Sequence, residues 1–172
     1  MSSAEERALL QRAQGGDREA LGLLWDDLTP KLFGYLINVT RDKALAEDLL
    51  QNTWLRAVQA LPKFQQRNVS LSAWLFAIAR NELRQHWRKS GREVAFDEAL
   101  HDQTTENSEE QDKIEVERIL KLLSEDDREI IRLRYIADLP VSEIAKVLNI
   151  NYVAVRVRLH RAIKRCQTFT TN

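Results

Sequence analysis

Residues 141 to 165 read VSEIAKVLNINYVAVRVRLHRAIKR, and this stretch decides the fold. A short helix over Val141 to Leu148 gives way to a tight connection at Asn149 and Ile150. Asn151 then stands as the N-cap of a long basic helix beginning at Tyr152. Asn149 occupies the position where the turn needs a left-handed residue, for which Asn is the best substitute for Gly. Two helices joined so closely form a helix-turn-helix. On the second helix Val155, Leu159, Ala162 and Ile163 fall on one stripe and are expected to be buried. Val153, Arg156, Val157, His160, Arg161 and Lys164 therefore point outward. No acidic residue occurs between Tyr152 and Arg165, so the cations lack local ion-pair partners and are expected to stay free for phosphates or guanine edges.

Working outward, helical spacing of apolar residues recurs nearly everywhere, Gly and Pro are few, and no alternating β-branched run stands out. The predicted fold class is all-α. Helices are expected near 112–123 and 125–137, the latter opened by Ser124 with Asp127 three positions on, a capping-box spacing, and Pro140 suits a first helical turn. In the first half, helices are expected near 17–28, 31–39, 42–61 and 70–89, with breaks at Pro30, at Thr40 to Arg41, and at 62–68. Between the halves, residues 95–111 (AFDEALHDQTTENSEEQ) are acidic and rich in Thr, Asn and Ser, the composition of a flexible linker.

The 172-residue chain has a formal net charge of zero, but the charge is segregated. Residues 1–90 carry net +3, residues 91–114 net −6 and residues 115–172 net +3. Local potential governs binding to a polyanion, so overall neutrality does not exclude a nucleic-acid partner. The longest apolar stretches fall far short of a membrane span and the first twenty residues are charged, so a cytoplasmic location is expected. Cys166 is the single cysteine, so no internal disulfide forms. His86, His101 and His160 match no zinc spacing. No glycine-rich phosphate loop, metal cluster or nucleophile with a spaced base supports an enzyme, and no cofactor is expected.

Two further faces carry binding chemistry. On the helix near 70–89, Arg80, Arg84 and Arg88 form one cationic ridge, continued by Ala73 and Ala77, whose small side chains let a backbone approach closely. Trp74, Asn81 and Trp87 border it, and cations interleaved with aromatic groups suit unstacked single-stranded bases. On the helix near 42–61, Ala46, Leu49, Leu50, Thr53, Trp54 and Ala57 make an apolar face. Asp48, Gln51, Asn52 and Gln59 lie opposite with an exposed Leu55, which looks like a protein-docking surface.

The string from Ala46 to Arg56 (AEDLLQNTWLR) resembles the second conserved region of bacterial sigma factors, as do residues 13–21 (AQGGDREAL) and 73–81 (AWLFAIARN). Residues 127–135 (DREIIRLRY), Glu143-Ile144-Ala145 and residues 158–162 (RLHRA) resemble the fourth. Having these two regions alone is what the extracytoplasmic-function subfamily looks like. The resemblance implies region 2 over 10–92, a linker over 93–111 and region 4 over 112–168. It implies that Asp48, Gln51, Asn52 and Leu55 contact the β′ clamp helices of core RNA polymerase. Lys63, Phe64, Arg67, Asn68, Arg80, Asn81, Arg84 and Arg88 would meet the melted minus-ten element, the loop Lys63 to Ser70 capturing a flipped base. Asn151, Tyr152, Val153, Arg156, Val157, His160, Arg161 and Lys164 would read the duplex minus-thirty-five element, and region 4 would touch the β flap. It further implies an anti-sigma factor as partner. Gln85 stands where an aspartate is common, and Asn149, Asn151, Ala154 and Val157 replace the more frequent Gly, Ser, Thr and Ser, which bears on promoter preference. A helix-turn-helix repressor would explain only the last forty residues, and a sigma-mimicking decoy would be expected to lose the DNA-facing cations.

Overall fold

A computed structural model describes residues 3–66, 69–91 and 123–170, and among these every regular element is helical. Four helices form the first bundle: α1 (Ser3–Gln14), α2 (Arg18–Thr40), α3 (Lys43–Ala60) and α4 (Leu71–Lys89), with a 3-10 turn at Leu61–Lys63. Three follow in the second part: α5 (Glu125–Tyr135), α6 (Val141–Leu148) and α7 (Tyr152–Thr170). The linker expected over 93–111 and the helix expected near 112–123, Leu123 apart, lie outside the described residues.

Local chemistry sets most boundaries. Asp17 caps α2, its carboxylate accepting from the amides of Glu19 and Ala20 at 3.0 and 3.1 Å. Those bonds, the Ala20 amide foremost and the Arg12 guanidinium next, hold its carboxyl below the usual range. Gly16, at φ 90°, supplies the left-handed turn between α1 and α2. Asp42, Ser70 and Ser124 cap α3, α4 and α5 by accepting from the amides of Leu45, Ala73 and Asp127.

The break expected at Pro30 does not occur. Pro30 lies inside α2, although an interior proline costs about 3 kcal/mol through its missing donor and ring clash. The buried row Leu24, Leu28, Leu32 and Leu36 runs straight across it, and each such side chain contributes about 1.5–3 kcal/mol on burial. Packing outweighs the proline. Helix α1 was not expected at all. It is anchored by Leu10, 3% exposed, and by Gln14, whose Nε2 donates to the carbonyls of Leu61 and Phe64. Helix α7, the long basic helix expected from Tyr152, runs to Thr170.

One hydrophobic cluster spans both parts. Leu32, Tyr35, Leu36 and Phe76 of the first belong to the same buried group as Ile130, Leu133, Ala137 and Ile144 of the second. Tyr35 meets Phe76 edge-on, with ring centroids 5.5 Å apart. The two halves are therefore docked together, an arrangement that the sequence reading did not anticipate.

Candidate nucleic-acid and polymerase interfaces

The turn of the helix-turn-helix forms as its sequence demands. Asn149 adopts φ 55°, ψ 46° and ends α6, while the Ile150 amide reaches back to the Ala145 carbonyl at 3.0 Å. Asn151 Oδ1 accepts from the Val153 amide at 2.7 Å, so its side chain is engaged in starting α7. Val155 and Ala162 are fully buried, with Leu159 and Ile163 partly so, whereas Tyr152, Val153, Arg156, Val157, His160, Arg161 and Lys164 are exposed. The expected two-faced helix is present.

The cations of α7 divide into two sets. Arg158 pairs with Asp126 at 3.1 Å and Arg165 with Asp127 at 3.7 Å. The acids come from α5, a tertiary neighbour, so absence of acids within α7 did not leave these two free. Arg156, Arg161 and Lys164 form no ion pair among the described residues and constitute the exposed cationic face.

On α3, Ala46, Leu49, Thr53, Trp54 and Ala57 are buried. Thr53 Oγ1 donates to the Leu49 carbonyl at 2.7 Å and Trp54 Nε1 to Thr29 Oγ1 at 3.1 Å. Both polar groups of this apolar face are thereby satisfied. Asp48, Gln51, Asn52 and Leu55 are all exposed on the opposite side, Leu55 at 58%. Leu23, Trp25 and Val58 are also exposed, and Trp25 stacks on Trp54 at 4.5 Å.

On α4, Arg84, Arg88 and Asn81 are exposed, and the two arginines form no ion pair among the described residues. The remainder of the ridge is different. Arg80 lies 3.5 Å from Glu129 of α5, its side chain 27% exposed, and Ala73 is completely buried. Lys63 is exposed, whereas Phe64 is half-buried and stacked on Trp74, with ring centroids 4.4 Å apart. Arg67 and Asn68 lie outside the described residues.

Sequence reasoning missed the groups that join the two halves. Tyr35 Oη donates to Glu129 Oε1 at 2.6 Å and Arg132 Nε to Asn38 Oδ1 at 2.9 Å. The Ser70 amide and Oγ donate to Glu143 Oε2 at 3.1 and 3.3 Å. Burial, with the Glu129 charge beside it, pushes the Tyr35 phenol well above its ordinary value, so it remains protonated and able to donate. Glu125, Arg128, Glu129 and Arg132 are all buried on one side of α5, with Arg132 bonded to Glu125. Spaced three or four apart, they read in sequence as a solvated, self-paired face, and nothing local marks them as an interface.

Fold and surfaces together define a two-part helical protein that presents a helix-turn-helix and a second, separate cationic helix face. Comparison with known proteins makes this specific. The chain matches sigma-70 region 2 over residues 24–93 and sigma-70 region 4 over residues 113–166. It is 31% identical over 170 residues to the ECF RNA polymerase sigma factor BldN of Streptomyces coelicolor, covering 94% of this chain and 64% of BldN. It is 30% identical over 140 residues to the ECF RNA polymerase sigma factor SigM of Bacillus subtilis, covering 78% of this chain and 85% of SigM. Among solved structures, the sigma factor RpoE of Bartonella quintana, in complex with the anti-sigma factor NepR, superposes with a TM-score of 0.70 at 27% identity, covering 88% of this chain and 96% of that one. CnrH, in complex with the cytosolic domain of CnrY, shares the fold with a TM-score of 0.70 at 23% identity, covering 97% of each chain. This chain belongs to the extracytoplasmic-function family of RNA polymerase sigma factors.

Proposed function

We propose that the protein docks on core RNA polymerase and directs it to promoters by a division of labour between its two regions. Region 2, over residues 10–92, would grip the β′ clamp helices through Asp48, Gln51, Asn52 and Leu55. The exposed α4 cations Arg84 and Arg88, with Asn81, Arg80, Lys63, Phe64, Arg67 and Asn68, would hold the melted minus-ten strand. Region 4, over residues 112–168, would place α7 in the major groove of the minus-thirty-five element and touch the β flap. Arg156, Arg161 and Lys164 would supply phosphate or guanine contacts, while Val153, Val157, His160, Tyr152 and Asn151 would complete the surface. Residues 93–111 would tether the two.

One observation carries this reading. The two cationic faces that remain unpaired among the described residues sit on the helices the family pattern points to, Arg84 and Arg88 on α4 and Arg156, Arg161 and Lys164 on α7. The chemistry is recognition throughout: unstacking costs a few kcal/mol per base, which stacking and a pocket can offset. No catalytic role is assigned to this chain. No helix among the described residues is long and apolar enough to cross a membrane, and a protein working on core polymerase would act in the cytoplasm. An anti-sigma factor is proposed as a further partner, supported by the RpoE–NepR complex of a 27% identical relative. The test is transcription of genomic fragments by core polymerase with and without the protein. New start sites sharing two spaced elements should appear only with it, and an unchanged transcript pattern refutes the proposal.

A further inference from the structure

Helix α1 lies ahead of the sigma-70 region 2 match, which begins at residue 24. Its inward face carries two polar grips and one apolar pin: Glu6, the buried Leu10 and Gln14 stand at i, i+4 and i+8, one stripe along the helix. Both grips close on the segment between α3 and α4. Gln14 Nε2 donates to the carbonyls of Leu61 and Phe64 at 3.0 and 2.7 Å. Glu6 Oε1 accepts from Gln66 Nε2 at 3.1 Å and from the Leu71 amide at 3.2 Å. One helix therefore holds this segment at both ends, at Leu61 and Phe64 where it leaves the 3-10 turn and at Leu71 where it enters α4.

The grips are fixed relative to each other, since the positions from Glu6 to Gln14 lie on one helix and are separated by a rise of about 12 Å at about 1.5 Å per residue. A connecting segment has no hydrogen-bond ladder of its own, so its backbone groups need partners elsewhere. Gln14 brings both protons of one amide to two carbonyls. The Phe64 amide returns to the Leu61 carbonyl at 3.1 Å, and the Phe64 ring lies on Trp74 of α4. Phe64 is thereby held through its carbonyl, its amide and its ring. We propose that α1 braces the base-capturing loop: Gln14 and Glu6 are positioning residues that hold Leu61, Phe64, Gln66 and Leu71 in the arrangement that takes an unstacked base. Selectivity at the minus-ten element then depends on a helix that need not touch DNA. This rests on the assignment of that loop to melted DNA proposed above and deepens it.

A braced loop has an energetic purpose. A base that leaves its stack loses stacking and pairing that the protein must return, and a loop that samples many shapes binds with an affinity reduced to the fraction of time it is competent. The α4 cations Arg84 and Arg88 attract any strand through its phosphates. Bracing therefore separates two quantities: affinity for strands of every sequence stays with α4, and preference for one base stays with the held loop. Both grips lie within the first bundle, so the brace does not depend on where region 4 sits.

The test uses holoenzyme, core polymerase with the full chain, and a pool of DNA single strands randomised in sequence; total strand binding is measured and the bound strands are sequenced. Gln14→Met keeps length and packing but removes both donors. Glu6→Leu removes the acceptor of Gln66 and Leu71, and Glu6→Gln retains it. The parent should enrich strands carrying a preferred base. Gln14→Met and Glu6→Leu should cut that enrichment about threefold to tenfold, as loss of one or two hydrogen bonds shifts the loop out of its competent shape. Total strand binding and core affinity should stay at parental values, and Glu6→Gln should keep the parental enrichment. Parental enrichment in Gln14→Met and Glu6→Leu overturns the brace. So does an equal fall of enrichment and total binding, which is the mark of a loosened bundle. Lys63→Glu reverses the charge of an exposed residue of the loop and tests the loop assignment itself. If the parent enriches no base, or if Lys63→Glu leaves both quantities at parental values, the loop does not meet DNA and the underlying reading has failed. Far-UV circular dichroism confirms helix content, and Gln14→Met decides the matter should Glu6→Leu misfold.

Discussion

Replacing Asn149 tests whether the helix-turn-helix is set by backbone geometry, and two substitutions at this one position should behave oppositely. Asn149 holds φ 55°, ψ 46°, a region that costs an ordinary L-residue roughly 1–2 kcal/mol but that Asn tolerates well. Ala has no local hydrogen bonding to offset that strain, so Asn149→Ala should destabilise the fold by about 1 kcal/mol. Glycine enters the left-handed region freely, yet it gives the unfolded chain more entropy, worth about 0.5–1 kcal/mol. The two effects nearly cancel, so Asn149→Gly should be close to neutral. For a chain of this size 1 kcal/mol corresponds to a midpoint shift of about 2–4 °C. Thermal unfolding followed by far-UV circular dichroism should therefore fall by that amount for the alanine variant and by under about 1 °C for the glycine variant. Because Ile130 and Ile144 share a buried cluster with Leu36 and Phe76, the loss should appear in one cooperative transition. Equal destabilisation by Gly and Ala would mean instead that the side chain of Asn149, rather than its backbone conformation, makes the turn.

Asp48→Ala combined with Gln51→Ala should weaken binding to core polymerase about tenfold or more while leaving helix content unchanged, because both side chains are exposed and hot-spot truncations at interfaces cost above about 1 kcal/mol each; titration of labelled core detects it, and parental affinity rejects the assigned face. Burial pushes the Glu6 carboxyl above its ordinary value, against the opposing pull of its bond from the Leu71 amide. A raised folded value means that the carboxyl favours the fold when protonated and that this contribution is lost as pH rises through it. Glu6→Gln keeps an acceptor for Leu71 without the desolvated charge, so it should match or exceed the parent in urea unfolding at pH 7, and its advantage should vanish below the unfolded value of about 4.5; a variant clearly weaker at pH 7 contradicts this. Scrambling residues 95–110 at constant length should leave transcription unchanged, whereas deleting about ten residues removes up to about 35 Å of extended reach and should reduce it; loss on scrambling would show that specific residues there are read.

What could be read from the sequence was whatever depends on neighbours in the chain. Asn149 and Asn151 announce a turn and a cap by residue type alone. The face of α3 follows from spacing, because Ala46, Leu49, Thr53, Trp54 and Ala57 fall on one stripe and are buried together. Failures arose where tertiary packing overrode a local rule. Pro30 signals a break, but the leucine row on either side of it continues into the same core. Arg158 and Arg165 look unpaired within α7 until α5 brings Asp126 and Asp127 beside them. Most of all, Tyr35 and Glu129 stand 94 positions apart and bond directly. Nothing in the periodicity of either helix identifies that contact, since the charged side of α5 has the composition of a solvated surface.

If α4 handles melted DNA and α7 handles duplex, transcription from two matched templates separates the two roles. Holoenzyme is reconstituted with the parent, Arg84→Ala or Arg156→Ala, on a fully paired promoter and on one already melted across the minus-ten element. If Arg156 reads a base, its loss should cost about 1–3 kcal/mol of binding with relaxed preference at one upstream position; a phosphate contact should weaken all sequences alike. The pre-melted template should largely rescue Arg84→Ala and leave the Arg156→Ala defect in place. Rescue of Arg156→Ala with a persistent Arg84→Ala defect would contradict it.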